Sequence, residues 1–285
     1  MPIVCENLTH TYMADSPFQA TALHGINLTI GDGDFLGLIG HTGSGKTTLV
    51  MHLNALLKPT EGRVLVDGQD INAKEFDRRE VRRRVGLVFQ YPEHQLFEET
   101  VAKDVGFGPR NLDLSDGEVE ERVTEALLRV GLPAADIQER SPFDLSGGQM
   151  RRVAIAGVLA MRPSTLILDE PTAGLDPSGR RDILSLIQHL HAQGVTVVMV
   201  SHSMEDVSRL ATRIAVMNHG GLAMLDAPGE VFSHGPELSA MGLDVPPAVQ
   251  LAHALRARGM EVPKDVYQMH ALRDWLVSQL GREAT

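Results

Sequence analysis

"FLGLIGHTGSGKTTLV", Phe35 to Val50, decides the fold. Phe35 to Ile39 is an apolar run of strand length that passes straight into glycines, and Thr48 to Leu57 then spaces its apolar residues as a helix does, with Lys58 and Pro59 as the stop. Strand, glycine loop, helix is the order that a phosphate-binding loop requires. Inside it, "GHTGSGKT" matches G-x-x-x-x-G-K-[ST]. The backbone N–H groups from Gly40, His41, Thr42, Gly43, Ser44 and Gly45 can wrap phosphate oxygens, while Lys46 reaches the β and γ oxygens. Thr47 offers a hydroxyl to Mg²⁺, and Thr48 completes the set. A plain tight turn before a helix is the alternative, and the flanking strand and helix argue against it.

Upstream, apolar and polar residues alternate with turns between them, as in Ile26 to Ile30, and read as short strands. Downstream, the character changes from Pro92 to about Met161: Glu118 to Val130 is charged and amphipathic, and "FDLSGGQMRRVAIAG", Phe143 to Gly157, opens a further helix, so this stretch reads as a helical insertion. Thr165 to Leu168 and Val195 to Val200 are continuously apolar and separated by a helical segment near Ile183 to Ala192, which suggests buried parallel strands with crossover helices. The expected fold is α/β. Near Pro228 the pattern breaks into a tail whose last helix carries Val266, Met269, Leu272, Leu276 and Leu280 on one side. That gives residues 1–228 as the main domain, with a helical subdomain over about 91–161, and 229–285 as an appendage whose apolar face favours dimer contact.

The 285 residues and 43% hydrophobic content support a sizeable core, and the longest apolar run falls far short of a membrane span. No secretory signal opens the chain, and the single Cys5 excludes an intrachain disulfide framework, so a reducing cytoplasm is expected. A net charge of −11 argues against general nucleic-acid binding. The arginine-rich Arg78 to Arg84 could form a nucleic-acid or lipid patch, but a solvated helical face is the simpler reading. The twelve histidines lack metal-ligand spacing and read mostly as surface residues.

"LILDE", Leu166 to Glu170, supplies acids at the end of a buried strand. Asp169 is suited to hold Mg²⁺, through water or from its outer coordination sphere, and Glu170 to orient and deprotonate a water for in-line attack. Gln90, after the strand Val85 to Phe89, can reach the metal or the attacking water, and His202, after Val195 to Val200, can reach the γ-phosphate. Ligands of open α/β sheets gather at such strand ends. The quoted "LSGGQ" poses a question, because Ser146 and two glycines open a helix suited to an anion although the phosphate loop is a hundred residues away.

Together, the phosphate loop, Gln90, "LSGGQ", "LILDE", "AGLD" and His202, in this order, resemble the nucleotide-binding subunit of ABC transporters, over roughly residues 3 to 228. The resemblance implies a P-loop NTPase (RecA-like) core with an N-terminal antiparallel β subdomain, a helical signature subdomain and a small C-terminal appendage. It also implies ATP and Mg²⁺ as cofactors, with Thr47, Gln90 and Asp169 at the metal and Lys46, Gln90, Glu170 and His202 as the catalytic groups. Two subunits would stack head to tail, so that Leu145, Ser146, Gly147, Gly148 and Gln149 act on the partner's nucleotide; that answers the question "LSGGQ" raises. Asp176 would lie at the interface, and Tyr12 would stack on adenine unless it is a core aromatic.

"QYPEHQLFEETVAKDVGFGPRNLDLS", Gln90 to Ser115, resembles energy-coupling factor transporter ATPases more narrowly, and "HTGSGKTT" and "GGQMRRVAIAGVLAM" resemble the second of their two paralogues. The implied function is an ATPase motor for uptake of a vitamin or a cobalt or nickel ion, peripheral on the cytoplasmic face of the membrane. Its implied partners are a paralogous ATPase, favoured over an identical copy, a transmembrane coupling protein and a small substrate-binding membrane protein. Tyr91 to Thr100 would line the groove for a coupling helix, with Glu93, Glu98 and Glu99 as candidates to pair with its arginines. An ATPase of an ordinary binding-protein-dependent importer is the nearer rival. A soluble ABC ATPase acting on DNA or ribosomes would need coiled-coil arms, a second cassette or a basic surface, and none is evident in the sequence; a phosphotransferase would have no use for "LSGGQ".

Overall fold

Alternation sorts the strands' side chains between two cores. In the computed structural model, which describes residues 2–283, the chain opens with β1 (Ile3–Tyr12) and β2 (Ala20–Ile30), which pair antiparallel and join β4 (Glu61–Val66) and β5 (Gln69–Asp70) in the order β2-β1-β4-β5. The second sheet begins with β3 (Phe35–Gly40). Its Leu36 and Leu38 face the first sheet, whereas Phe35 and Ile39 face the opposite core, as a period of two demands. Helix α1 (Lys46–Leu53) drives Leu49, Val50 and Leu53 into the core shared by the two sheets.

After α2 (Arg78–Arg84), the strand β6 (Val85–Val88) ends just before Gln90. A 3-10 turn, Pro92–Gln95, leads into the helices α3 (Val101–Arg110), α4 (Asp116–Arg129), α5 (Ala134–Ile137) and α6 (Gly147–Leu159). Then β7 (Thr165–Asp169), α7 (Pro177–Ala192), β8 (Thr196–Val200), α8 (Met204–Leu210), β9 (Arg213–Asn218) and β10 (Gly221–Asp226) follow. The resulting order is β10-β9-β3-β8-β7-β6, parallel from β9 to β6 with β10 antiparallel at the edge. This is the expected α/β architecture, with crossover helices covering buried, fully apolar strands. No helix among the described residues is long and apolar enough to cross a membrane.

The helix after the phosphate loop is shorter than its apolar spacing suggests. Ala55 adopts a left-handed backbone (φ 55°), so the N–H groups of Leu56 and Leu57 turn back onto the Met51 carbonyl and α1 stops at Leu53. The arginine-rich α2 is a solvated face, capped by Asp77, with Arg83 and Arg84 paired to Glu80. Two histidines depart from the surface expectation: His10 and His52 are buried, with ring centroids 4.7 Å apart. Cys5 is buried too, and burial pushes its thiol up to about 12, which leaves it inert at neutral pH.

In the tail, α9 (Pro228–Ser233) and α10 (Gly235–Ala240) bury Val231, Phe232 and Leu238 in the same core as the parallel sheet. Helices α11 (Pro247–Ala257) and α12 (Met269–Glu283) close a small cluster of their own around Ala248, Ala252, Val262, Val266 and Leu272. Leu272, expected on an exposed apolar face, is therefore covered from within, and Met269 stays half-exposed. The side chain of Leu280 lies outside the described residues.

Burial predicts a contrast within the helices. Leu49→Ala, at a fully buried site between two sheets, should lower unfolding free energy by about 3 kcal/mol, whereas Leu128→Ala, at a 69% exposed site on α4, should change it by less than about 0.5 kcal/mol. Urea titration of both variants checks the pair; equal effects would mean that α1 is not part of the core.

Candidate functional site

The strand order lines up the carboxyl ends of β3, β8, β7 and β6, and the loops leaving them enclose a cavity of about 400 Å³. Thr42, Gly43, Gly45, Lys46, Thr47 and Thr48 form one wall, and Gln90, Asp169, Glu170 and His202 the other. All four catalytic candidates thus meet at one place. The loop owes its shape to backbone: Gly45 has φ 100°, and a Cβ there would come within 2.6 Å of the Ala22 carbonyl, so only glycine can begin α1 here.

Lys46 is buried, and its Nζ donates to the carbonyls of Gly40 (2.7 Å) and His41 (3.0 Å), which fixes the ammonium inside its own loop. Burial pushes its pKa down, while the charges of Glu170 and Asp169 oppose that shift. Thr47 Oγ1 donates to Asp169 Oδ2 at 3.2 Å, so the hydroxyl and the acid proposed for one cation already touch. Asp169 is raised by burial, against the Thr47 hydrogen bond and the Lys46 charge. Glu170 is pushed up to about 7, first by burial and then by the charge of Asp169.

Glu170 also has a constrained backbone. It sits in the left-handed region (φ 51°), its N–H donates to the Val200 carbonyl, and its own carbonyl accepts from Ala173. Oε1 is buried without a hydrogen-bond partner, and His202 Nε2 approaches it to 3.3 Å without an aligned bond. Burial lowers the His202 pKa, with the charge of Lys46 adding to it. The imidazole is therefore neutral at pH 7. Ser44 Oγ is a second buried oxygen with no partner.

This donor set suits Mg²⁺. Thr47, Gln90 and Asp169 offer hard oxygens around a cavity that holds two carboxylates to one ammonium. No group of three or more His, Cys, Asp or Glu side chains could hold a metal among the described residues, so such a cation would complete its shell with water or with phosphate oxygens.

The remaining residues lie apart. Tyr12, at the end of β1, stands beside the cavity; its hydroxyl is 3.2 Å from Thr48 Oγ1 and its half-exposed ring meets His10 edge-on at 4.5 Å. Leu145 is buried, and Ser146 caps α6 in a reciprocal box with Gln149: Gln149 N–H donates to Ser146 Oγ (3.3 Å), and Ser146 N–H to Gln149 Oε1 (3.1 Å). A Cβ added to Gly147 or Gly148 would meet nothing within 4 Å, so no contact inside the chain demands glycine at either position. These five residues line no part of the cavity beside the glycine loop. Asp176 is exposed and caps α7 through Gly179 N–H at 2.8 Å.

Of the acids expected to face a partner, Glu93 is committed within the chain. Both its oxygens accept from Arg151, a side chain that the motifs did not single out. Glu99 pairs with Lys103 on the surface, and Glu98 is half-buried, its N–H donating to Asp104 Oδ2 at 3.0 Å. Beside them opens an apolar groove of about 320 Å³, lined by Phe89, Leu96, Phe97, Phe107 and Met161.

The profile of the ABC transporter family matches residues 23–173. The energy-coupling factor transporter ATP-binding protein EcfA2 of Symbiobacterium thermophilum is 60% identical over 90% of this chain and 88% of its own, and that of Clostridium tetani 53% identical over 90% and 89%. Among solved structures, cbiO1 from Clostridium perfringens, part of the ABC transporter complex cbiONQ, superposes with a TM-score of 0.73 at 36% identity, covering 88% of this chain and 98% of that one. A dimeric, post-hydrolysis structure of the ATP-binding cassette MJ0796 with ADP and Pi gives 0.69 at 31% identity, over 79% and 98%. The phosphate loop facing two acids, the separate "LSGGQ" helix start and an identity of this size over nine-tenths of the chain lead to one conclusion: the chain belongs to the ABC transporter ATPases and, within them, to the energy-coupling factor transporter ATP-binding proteins.

Proposed function

We propose that this chain is the ATP-hydrolysing motor subunit of an energy-coupling factor importer, coupling ATP binding and hydrolysis to uptake of a vitamin or transition-metal ion through membrane partners. The carrying observation is that two phosphate-suited elements, the loop at Gly40–Thr47 and the open glycines at Gly147–Gly148, belong to separate surfaces of one chain. Stacking this chain head to tail with a paralogous ATPase gives each loop the other's signature. The exposed Asp176 would lie at that contact, and the tail, with Met269 and Val277 exposed on α12, would add to it.

In this reading ATP enters the cavity with its adenine against Tyr12 and its phosphates on the loop N–H groups. Lys46 neutralises charge on the β and γ oxygens, and neutral His202 donates to the γ-phosphate. Mg²⁺, held by Thr47 and Gln90 with Asp169 behind them, would supply positive charge at the phosphates. Glu170 orients a water and takes its proton as the water oxygen bonds to the γ phosphorus and the bond to the β-γ bridging oxygen breaks. Its raised pKa matches a base that works near neutrality. The apolar groove beside the Gln90 segment suits a helix of the transmembrane coupling protein, with Glu98 and Glu99 following its Phe97 in the chain; a small substrate-binding membrane protein would complete the complex, with this chain peripheral on the cytoplasmic face of the membrane.

Three outcomes are expected. Gentle-detergent purification from native membranes should bring down a paralogous ATPase, one coupling membrane protein and small membrane proteins; an ordinary permease in their place would overturn the transporter subtype. Glu170→Gln should still bind ATP and accumulate as a closed dimer while phosphate release falls by about 10²- to 10⁴-fold, and turnover at the wild-type rate would remove Glu170 from its role. A base must be deprotonated to act, so kcat/KM should rise with pH to a plateau above about 7 and be roughly tenfold lower at pH 6. A flat profile between pH 6 and 8 would contradict the assignment.

A further inference from the structure

Two segments of the site, the turn after Gln90 and the loop after Glu170, converge on one side chain that the motifs contain without singling it out. Arg151, in the second turn of α6, is 1% exposed and is the largest side chain so fully buried among the described residues. Its Nε and Nη2 donate to the two carboxylate oxygens of Glu93 at 3.1 and 3.0 Å, and Nη1 donates to the carbonyls of Pro171 (3.1 Å) and Ala173 (2.8 Å). Both edges of the guanidinium are thus engaged, one on a side chain and one on backbone.

The positions of those partners give the contact its meaning. Glu93 lies in the turn Pro92–Gln95, between Gln90 in the nucleotide cavity and Leu96 and Phe97 in the apolar groove. Pro171 follows Glu170 directly, and Ala173 closes the tight turn onto the Glu170 carbonyl. Cohesion alone does not call for an arginine, because a buried ion pair is often no more stabilising than well-packed apolar residues. A planar, always-charged fork does what an apolar residue cannot. It fixes the direction of four bonds and leaves neither the carboxylate nor the two carbonyls unpaired.

We propose that Arg151 is a positioning residue for ATP hydrolysis. Its guanidinium holds the loop that aims Glu170 and the turn that follows Gln90 as one unit on the signature helix, so that a partner seated in the groove acts on the geometry of the base. The inference rests on the reading of Glu170 as the hydrolytic base and of the groove as the membrane partner's seat. Misplacement of such a group by about 1 Å is enough to slow a reaction by about 10²-fold.

The test uses the assembled transporter carrying Arg151→Lys, Glu93→Gln or both, with wild type and Glu170→Gln alongside. Lysine keeps the charge but not the fork, and glutamine keeps the shape but not the charge, so Glu93→Gln carries the test if the lysine variant does not assemble. Each single variant should lower kcat by about 10- to 100-fold while the KM for ATP stays within about threefold, and the double variant should be no slower than the worse single. A purely structural role would instead lower the melting temperature and leave kcat per folded complex intact. That result, or losses of kcat and ATP binding in equal proportion, or multiplying losses in the double variant, would overturn the proposal. A wild-type rate in Glu170→Gln is a different failure, since it removes the base itself and the inference with it.

Discussion

Everything at the site depends on a parallel sheet buried on both faces. Because Leu36 and Leu38 point into one core while Phe35 and Ile39 point into the other, β3 cannot slip by a residue without exchanging its two apolar sets. The same sorting holds Ile167 against Leu166 and Leu168 in β7, and Val198 and Val200 against Val197 and Met199 in β8. Registers fixed in this way set where each strand stops. The stops of β3, β8, β7 and β6 then present the phosphate loop, His202, the two acids and Gln90 side by side. The chemistry is carried by loops, but its spacing is decided by the cores below.

That rigid base tolerates groups that would be unfavourable elsewhere. Asp169 and Glu170 are adjacent carboxylates in a partly buried cavity, and burial raises both. Lys46 is buried opposite them, where burial lowers it and their charges only partly oppose the shift. Each group is perturbed mainly by lost water; Lys46 and the two acids limit one another's shifts, whereas the charge of Asp169 adds to the shift of Glu170. The left-handed backbone at Glu170 and its unpartnered Oε1 belong to the same arrangement, an unfavourable local state maintained by the Val200 and Ala173 hydrogen bonds around it.

What the sequence made legible, and what it hid, follows from the range of the interactions. The phosphate loop, "LILDE" and the "LSGGQ" helix start are local patterns, and the structure puts each on the expected strand, loop or helix. The sandwiching of α1 between two sheets is legible only in part, since no spacing rule announces the left-handed Ala55 that ends the helix at Leu53. Glu93 shows the limit more sharply. Its charge suggested an external partner, but the residue that binds it is 58 positions away on another helix. His10 and His52, buried together beside Tyr12 and Thr48, were hidden for the same reason: burial depends on which elements meet, and a lone histidine says nothing about that.

The glycines at the two helix starts differ in a way that bears on assembly. Gly45 is required from inside, because its backbone is left-handed and the Ala22 carbonyl leaves no room for a Cβ. Gly147 and Gly148 are under no such demand: their surroundings are open, and Ser146 and Gln149 already satisfy the helix cap between themselves. Glycine at an unconstrained helix position lowers helix stability by about 1 kcal/mol relative to alanine, so two in succession are a local disadvantage that this chain by itself does not offset. A close-approaching group from outside would offset it, and the N–H groups of a helix's first turn that lie outside such a capping box attract an anion. The proposed head-to-tail pair supplies both at once, with the phosphates on a partner's loop reaching a surface that has none of its own. On this reading the tight glycine and the open ones are two halves of one site, shaped respectively by the fold and by the assembly.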